Sequence, residues 1–533
     1  MTDPGRSTPA SRVPINSARE PFAADSEPWA ARPDPSLRST TCDAWPRIAL
    51  PQALPILLTL VAIGAVVIPR LPRGICFNDG GELQLAAVTL GITHAPGYPI
   101  LAFLGYLATL MPGVDPAYMV SLACLGAGLA TIALCILIQW RLGVTIGVAC
   151  AVALVFVAHS RTWINLVGPE VYTPTLMFQA GSTYLLIRYA RLGRGRDAVL
   201  SAVFFGVAFA NRPPVLLTLP FIVMAWWSAN RRVEPTNTRP WRSLGILAAW
   251  ALLPTVSAFG YLYVRDTRST PYNYIELHDI EFDLVPDIDG GALAKLHRVF
   301  WHVSAREFDY AMGNTLAGVW DKLVWFRREF FLYEPHNLII VLILISIGAV
   351  IVRRRCPVAF ILLAGMIVSS LVFICSYRMW GQAADYLPLL WAAMVSLGAS
   401  TTVVLGTHRR YSGTIGLVAL LGMIVFTFVD AKERPQSLLS PDATAFVAEM
   451  DMATLPQNSV VCVAWPETPV IFYAKHILTR RDDIHIVAAA TANWARQLEA
   501  LGDRPMFGAS MNTEIVGYDQ TPYRNLWRLT RQP

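Results

Sequence analysis

Apolar residues run along this chain in long unbroken blocks rather than alternating with polar ones. Blocks long enough to cross a bilayer, or nearly so, lie at about 50–68, 117–140, 143–159, 171–190, 198–210, 213–227, 244–264, 338–352, 357–376, 387–406 and 412–429. That predicts an α-helical polytopic membrane protein of about eleven spans. Several blocks fall short of the roughly twenty residues a span needs, which predicts helices broken around a wet cavity. The run 100–111 is read as not spanning, because only then do the basic clusters all fall on one side, and helical patterns after Asp79 and over 100–111 read as surface helices of a first outer loop, 70–116. A long outer loop, 265–335, carries amphipathic patterns over 291–303 and 315–331, rich in Trp, Phe, Arg and Lys, of the kind that lies in the interface plane.

Composition agrees. Of 533 residues 54% are hydrophobic and 15% charged, and the mean hydropathy is +0.44, which excludes a water-soluble globule. The net charge of +6 does not point to nucleic acid, because the basic residues sit in short clusters between apolar blocks. With the N-terminus in the cytoplasm, Arg141, the group 188–196, Arg231 to Arg242, Arg353 to Arg355 and Arg409–Arg410 all fall on the cytoplasmic side. Residues 1–47, rich in Pro, Ser, Ala and Arg, read as a disordered cytoplasmic tail, and 48–430 as the membrane domain. Residues 431–533 return to ordinary composition, with strand patterns at 459–465 and 482–490 flanking a helical 466–478, and predict a small extracytoplasmic α/β domain. The eight cysteines show no paired or metal-ligand spacing.

The candidate chemistry collects on the outer side of this topology. Asp79 and Glu82 stand three apart, so in a helix both carboxylates fall on one face and can address one ligand. Alternatively they open that helix as a dipole-favoured cap. Acids beside a bilayer are costly unless used, which favours the functional reading. His94 and Tyr98 follow in a Pro-Gly-Tyr-Pro turn, and Glu170, Tyr172, Asn211, Arg212, Arg306, Arg378 and Asp385 fall on the same side. Glu170 equally reads as a helix cap, and Arg306 and Asp385 as ordinary loop polarity. Asp79 with Glu82 offers oxygen ligands to a divalent cation, but no third acid is tied to them by spacing, so no metal and no other cofactor is expected. No glycine-rich phosphate loop occurs.

Read together, Asp79-Gly80-Gly81-Glu82 and Leu90-Gly91-Ile92-Thr93-His94-Ala95-Pro96-Gly97-Tyr98-Pro99 resemble the first-loop pattern of the multi-span transmembrane protein O-mannosyltransferase family. Gly80 stands where the family has Ser, and Ala95 where it has Pro. Weaker likenesses follow at Trp163 with Glu170-Val171-Tyr172, at Gly206 to Pro213 with Arg212 where histidine is common, at His302 to Phe308, at Arg378 to Leu387 and at Leu455 to Ser459.

The resemblance implies a glycosyltransferase of the C superfold in a bacterial inner membrane. Its donor would be a polyprenyl-phosphate-linked sugar, mannose-like, and its acceptor a hydroxyl of a protein or glycan. Asp79 would be the base, assisted by Glu82, with His94, Tyr98, Glu170, Tyr172, Asn211, Arg212, Arg306, Arg378 and Asp385 binding substrate. The rival expectation is a lipid-linked-sugar or solute transporter, which predicts internal repeats that the spans do not show.

Overall fold

A computed structural model of the chain describes residues 50–233, 240–277, 285–330, 335–378, 383–404, 441–488, 501–509 and 517–532, with 414, 498 and 499. The tail expected over 1–47 lies outside them, as does the span expected over 412–429 apart from residue 414. The protein is an integral membrane protein built on α-helices: α1 (Leu50–Val67), α2 (Asn78–Thr89), α3 (Pro99–Thr109), α4 (Pro116–Arg141), α5 (Ile146–Ala158), α6 (Ser160–Val167), α7 (Tyr172–Leu192), α8 (Gly195–Asn211), α9 (Leu219–Val233) and α10 (Pro240–Arg265) come first. Then follow α11 (Gly291–Val303), α12 (Leu316–Phe330), α13 (Pro335–Arg355), α14 (Pro357–Ser376) and α15 (Leu387–Val404).

Among the described residues four helices are long and apolar enough to span: Leu50–Arg70, Pro116–Arg141, Pro240–Arg265 and Pro357–Ser376. The pair α5 and α6 makes a fifth if counted as one span bent by 78°. His159 makes the bend: it is extended, and its Nδ1 accepts from the Arg161 amide at 3.2 Å. The run expected to lie outside the bilayer at 100–111 is the eleven-residue α3.

Side-chain distribution follows the solvent. The inner faces of α4, α5, α7, α14 and α15 make one core around Ile63, Ile136, Ala149, Leu186 and the fully buried Trp391. The outer faces of α1 and α10 leave Leu57, Val61, Leu253 and Val256 more than half exposed, which lipid tolerates and water would not. Close helix approach comes from small residues: a Cβ on Gly206 of α8 would lie 1.9 Å from the Ala251 carbonyl of α10. Polar pairs add to it, with Ser182 and Ser201 joining α7 to α8 at 3.0 Å and the Trp391 indole bonding the Thr131 carbonyl at 3.2 Å.

The last described residues form a five-stranded sheet in the order β2 (His485–Ala488), β1 (Val460–Val463), β3 (Met506–Gly508), β5 (Leu526–Arg531), β4 (Tyr518–Tyr523). β1 pairs in parallel with β2 and β3, and the rest is antiparallel. Two short helices, α16 (Thr444–Met450) and α17 (Thr468–Tyr473), cover it, and the chain beyond α17 continues as a π turn through Ala474–Thr479. This unit is fastened to the start of α2: the Phe77 amide bonds Pro441 O at 2.8 Å, Ala443 N bonds Ile75 O at 2.8 Å, and Arg73 N bonds the Asp442 carboxylate at 2.9 Å.

Candidate active site around Asp79 and His94

The first loop is built to hold α2 rigidly. Gln84, fully buried, accepts from Cys76 N at 2.8 Å and donates to Gly74 O, Ala117 O and Ser121 Oγ at 3.0 to 3.1 Å, tying the loop to α4. Gly81 is required here, since a Cβ would sit 1.8 Å from the Cys76 carbonyl. Asp79 lies in the first turn of α2 and is exposed, where the positive helix end favours its charge. The N-cap, Phe77, makes no side-chain cap hydrogen bond.

The two acids do not address one ligand, and this corrects the expectation from their spacing. Glu82 is fully buried. Its Oε1 accepts from the His94 amide at 2.8 Å and from the Tyr272 hydroxyl at 2.9 Å, and its Oε2 meets His94 Nδ1 in a close ion pair. Contacts with a loop 190 residues away turn Glu82 inward, while Asp79 stays open to solvent. Glu82 is therefore placed to position His94 rather than to touch substrate.

His94 is the electrostatic centre. Burial opposes its charge, but the adjoining Glu82 carboxylate, with Asp79 and Glu307 behind it, raises its pKa from 6.5 to about 9. At neutral pH it is an imidazolium. Its Nε2 lies 3.4 Å from the Tyr98 hydroxyl, and Tyr274 and Trp465 contact its ring edge to face at 6.2 Å centroid distance. Tyr274 also donates to Glu307 at 2.6 Å, and burial pushes the Glu307 carboxyl upward. Tyr272, Tyr274, Glu307 and Trp465 were not singled out by sequence. The alternation Tyr272-Asn273-Tyr274 is the one local trace of them, since it pairs as a strand with Ile92 through Ile92 N to Tyr272 O at 2.9 Å and Tyr274 N to Ile92 O at 3.1 Å.

A second cluster lies beside the first. Arg212 Nη2 is 2.6 Å from Asp385 Oδ1, and its guanidinium stacks over the Tyr172 ring at 4.4 Å. Burial works against the Arg212 charge, and Asp385 more than compensates, so the cation is held. Both residues line a small cavity with Tyr172, Thr175, Gln179 and Ser369. Tyr98 and Tyr172 pack on the same buried residues, Leu83, Leu101, Cys124 and Val171, so they bridge the two clusters.

The remaining expected residues have other places. Asn211 is fully buried and structural: its Oδ1 accepts from Leu101 N at 3.0 Å and its Nδ2 donates to Thr175 Oγ1 at 2.8 Å, joining α8 to α3 and α7. That corrects its assignment to substrate. Glu170 is buried just before α7. Arg306 is exposed, and Arg378, also exposed, ties residues 311–313 to the end of α14 through Ala311 O at 2.6 Å and Gly313 O at 2.9 Å.

The helices and this buried polar centre define a multi-span membrane protein with a polar site at one end of its bundle. A family model described as the Protein O-mannosyl-transferase TMEM260 N-terminal domain matches residues 79–234. The matched range begins on Asp79 and contains Glu82, His94, Tyr98, Glu170, Tyr172, Asn211 and Arg212, whereas Arg306, Arg378 and Asp385 lie beyond it. The chain is 30% identical over 167 residues to Protein O-mannosyl-transferase TMEM260 of Mus musculus, 30% of this chain and 24% of that protein. It thus spans about a quarter of the length of that relative. Among solved structures it is similar to ArnT from Cupriavidus metallidurans bound to undecaprenyl phosphate, at 11% identity over 90% of this chain and 97% of that chain, with a TM-score of 0.49. The apo form of ArnT is similar at 12% identity over the same shares, with a TM-score of 0.47.

Proposed function

We propose that this protein is a membrane glycosyltransferase moving a sugar, mannose as first candidate, from a polyprenyl-phosphate carrier to a hydroxyl of a protein or glycan, on the extracytoplasmic face of a bacterial inner membrane. The observation that carries the reading is an exposed carboxylate, Asp79, fixed on a clamped helix start beside a cationic His94. The match to the O-mannosyltransferase N-terminal domain over this region supports it.

In the proposed step the acceptor O–H loses its proton to Asp79 as its oxygen bonds the anomeric carbon. The bond from that carbon to the phosphate oxygen breaks, and its electron pair leaves on the carrier phosphate. Fixed cations then meet the developing charge. His94 serves this role, held by Glu82, and Arg212, paired with Asp385 on the lining of the neighbouring cavity, adds a second cation of the kind that grips phosphate. No metal ion has a part in the proposal, because the carboxylate nearest in sequence to Asp79, Glu82, is committed to His94 and Tyr272. The test is purified protein in nanodiscs given a panel of polyprenyl-phosphate-linked sugars. Release of free carrier phosphate coupled to glycosylated product is expected, and a protein that turns over none of them refutes the reading.

Two further outcomes follow from the site. His94 has a folded pKa raised above its unfolded value, so the Glu82 to His94 interaction contributes fully below about pH 6.5 and is lost as pH rises through about 9. The pH profile of kcat/KM should therefore carry an alkaline limb near 9, and Glu82→Gln should move that limb downward. A limb unmoved by Glu82→Gln would contradict the role given to the pair. Arg212→Ala should raise the donor KM by about ten- to a hundredfold, the worth of a hydrogen bond to a charged group, with a smaller effect on acceptor KM. Steady-state kinetics with donor and acceptor varied separately reads this directly.

A further inference from the structure

Trp465 belongs to the terminal sheet unit, yet it stands at the site in the first loop. Its turn is tight, with Glu467 N bonded to Ala464 O at 2.9 Å and Thr468 N to the same carbonyl at 3.2 Å. Asn78 N, next to Asp79, bonds Pro466 O at 3.2 Å, so the Trp465 turn and the Asp79 helix start are tied by one hydrogen bond. Further along the same segment, Pro469 is the side chain nearest to Gly81, 3.3 Å from where a Cβ would be. The indole meets His94 at 6.2 Å with planes 87° apart and Tyr274 at 6.4 Å with planes 89° apart. Two near-perpendicular contacts fix its plane, and still the residue is 43% exposed.

A large aromatic ring held in one orientation but left open contributes little to folding for its size. It offers a flat apolar surface beside an exposed carboxylate. The ligand chemistry that fits both is a pyranose: one face of C–H bonds to lie on the ring, and a rim of hydroxyls for the carboxylate and the imidazolium. We propose that Trp465 is a stacking platform for the sugar ring, contributed to the membrane site by the terminal unit. This rests on the glycosyltransferase reading for its purpose but not for its geometry. The pyranose can be that of the donor or of a glycan acceptor, and kinetics separates these.

The direct test uses saturation-transfer NMR on the protein in nanodiscs with methyl α-D-mannopyranoside and methyl α-D-glucopyranoside as probes, in an Asp79→Asn background whose turnover is expected to be strongly reduced. Saturation of the ring C–H protons is expected with Trp465 present, absent in Trp465→Ala and retained in Trp465→Phe. In the Asp79-intact protein, Trp465→Ala should raise the apparent KM of the sugar-bearing substrate it serves by about three- to tenfold, the scale of an aromatic contact, with kcat little changed. A rise in donor KM assigns the platform to the donor sugar, and a rise in acceptor KM to a glycan acceptor. Unchanged saturation and unchanged KM for both substrates in a correctly folded Trp465→Ala protein overturn the proposal. A wild type that transfers no sugar while its pyranoside signal still depends on Trp465 refutes the transferase reading and leaves the platform standing.

Discussion

Asp79→Asn should lower turnover by two or more orders of magnitude while the protein folds and inserts normally. A positioned general base contributes about a hundred- to ten-thousandfold to a rate, and the amide keeps the size of the carboxylate while accepting no proton. Folding should survive because Asp79 is exposed and the bonds that clamp the loop run through other groups, among them the Gln84 amide and the Pro441 and Pro466 carbonyls. The change forfeits at most the helix-end interaction of one exposed charge, about 0.3–1 kcal/mol. It also removes one of the carboxylates lifting the His94 pKa, so residual activity should show its alkaline limb at lower pH. Glu82→Gln differs in kind, since it disturbs a buried contact and shifts the pH profile first. Assay of both variants beside a thermal melt distinguishes the base from its support.

The largest expected loss of stability comes from Arg298→Ala, about 3–5 kcal/mol, as when one partner of a buried ion pair is removed. Arg298 and Asp266 are both wholly buried and paired through two contacts of 2.8 and 3.1 Å, with Glu276 at 3.2 Å and the Pro286 carbonyl at 2.9 Å completing the guanidinium. Asp266 also accepts from Asn273 at 2.9 Å. Asn273 lies between the two tyrosines that hold Glu82 and Glu307, so the lock lies under the strand that organises His94. Arg298→Ala leaves Asp266 buried with the Asn273 amide but without its counter-charge, and should lower both the melting temperature in detergent and the activity. The double variant Asp266→Leu with Arg298→Met should recover part of the stability, because well-packed apolar pairs replace buried ion pairs at little cost. Equal melting of wild type and Arg298→Ala would contradict this account of the loop.

Part of the candidate site was legible because ionisable residues stand out in an apolar chain. Asp79, Glu82, His94 and Tyr98 could be singled out from one continuous stretch, and the structure places His94 between Glu82 and Tyr98. Which way each acid points was not legible. Helical spacing puts Asp79 and Glu82 on neighbouring positions, but the choice between solvent and interior is made by Tyr272, a residue of the loop after α10. Asn211 misled for a related reason: a polar residue at a helix end reads as a ligand until the Leu101 amide and Thr175 hydroxyl that consume it are seen. Arg212 and Asp385 were both candidates, yet their pairing across 173 positions carries no local signal. Trp465 was hidden most completely, because the terminal unit reads as a separate domain and it takes long-range bonds, such as those from Asn78 and Phe77, to bring it to α2.

The central claim is that Asp79 does chemistry on a sugar that the rest of the site merely holds. Equilibrium donor binding and single-turnover transfer, measured side by side for wild type and Asp79→Asn in nanodiscs, separate those two roles. The account predicts donor affinity within a few-fold of wild type and a transfer step at least a hundredfold slower. Transfer at the wild-type rate in Asp79→Asn, or a loss of transfer wholly matched by a loss of binding, would contradict it.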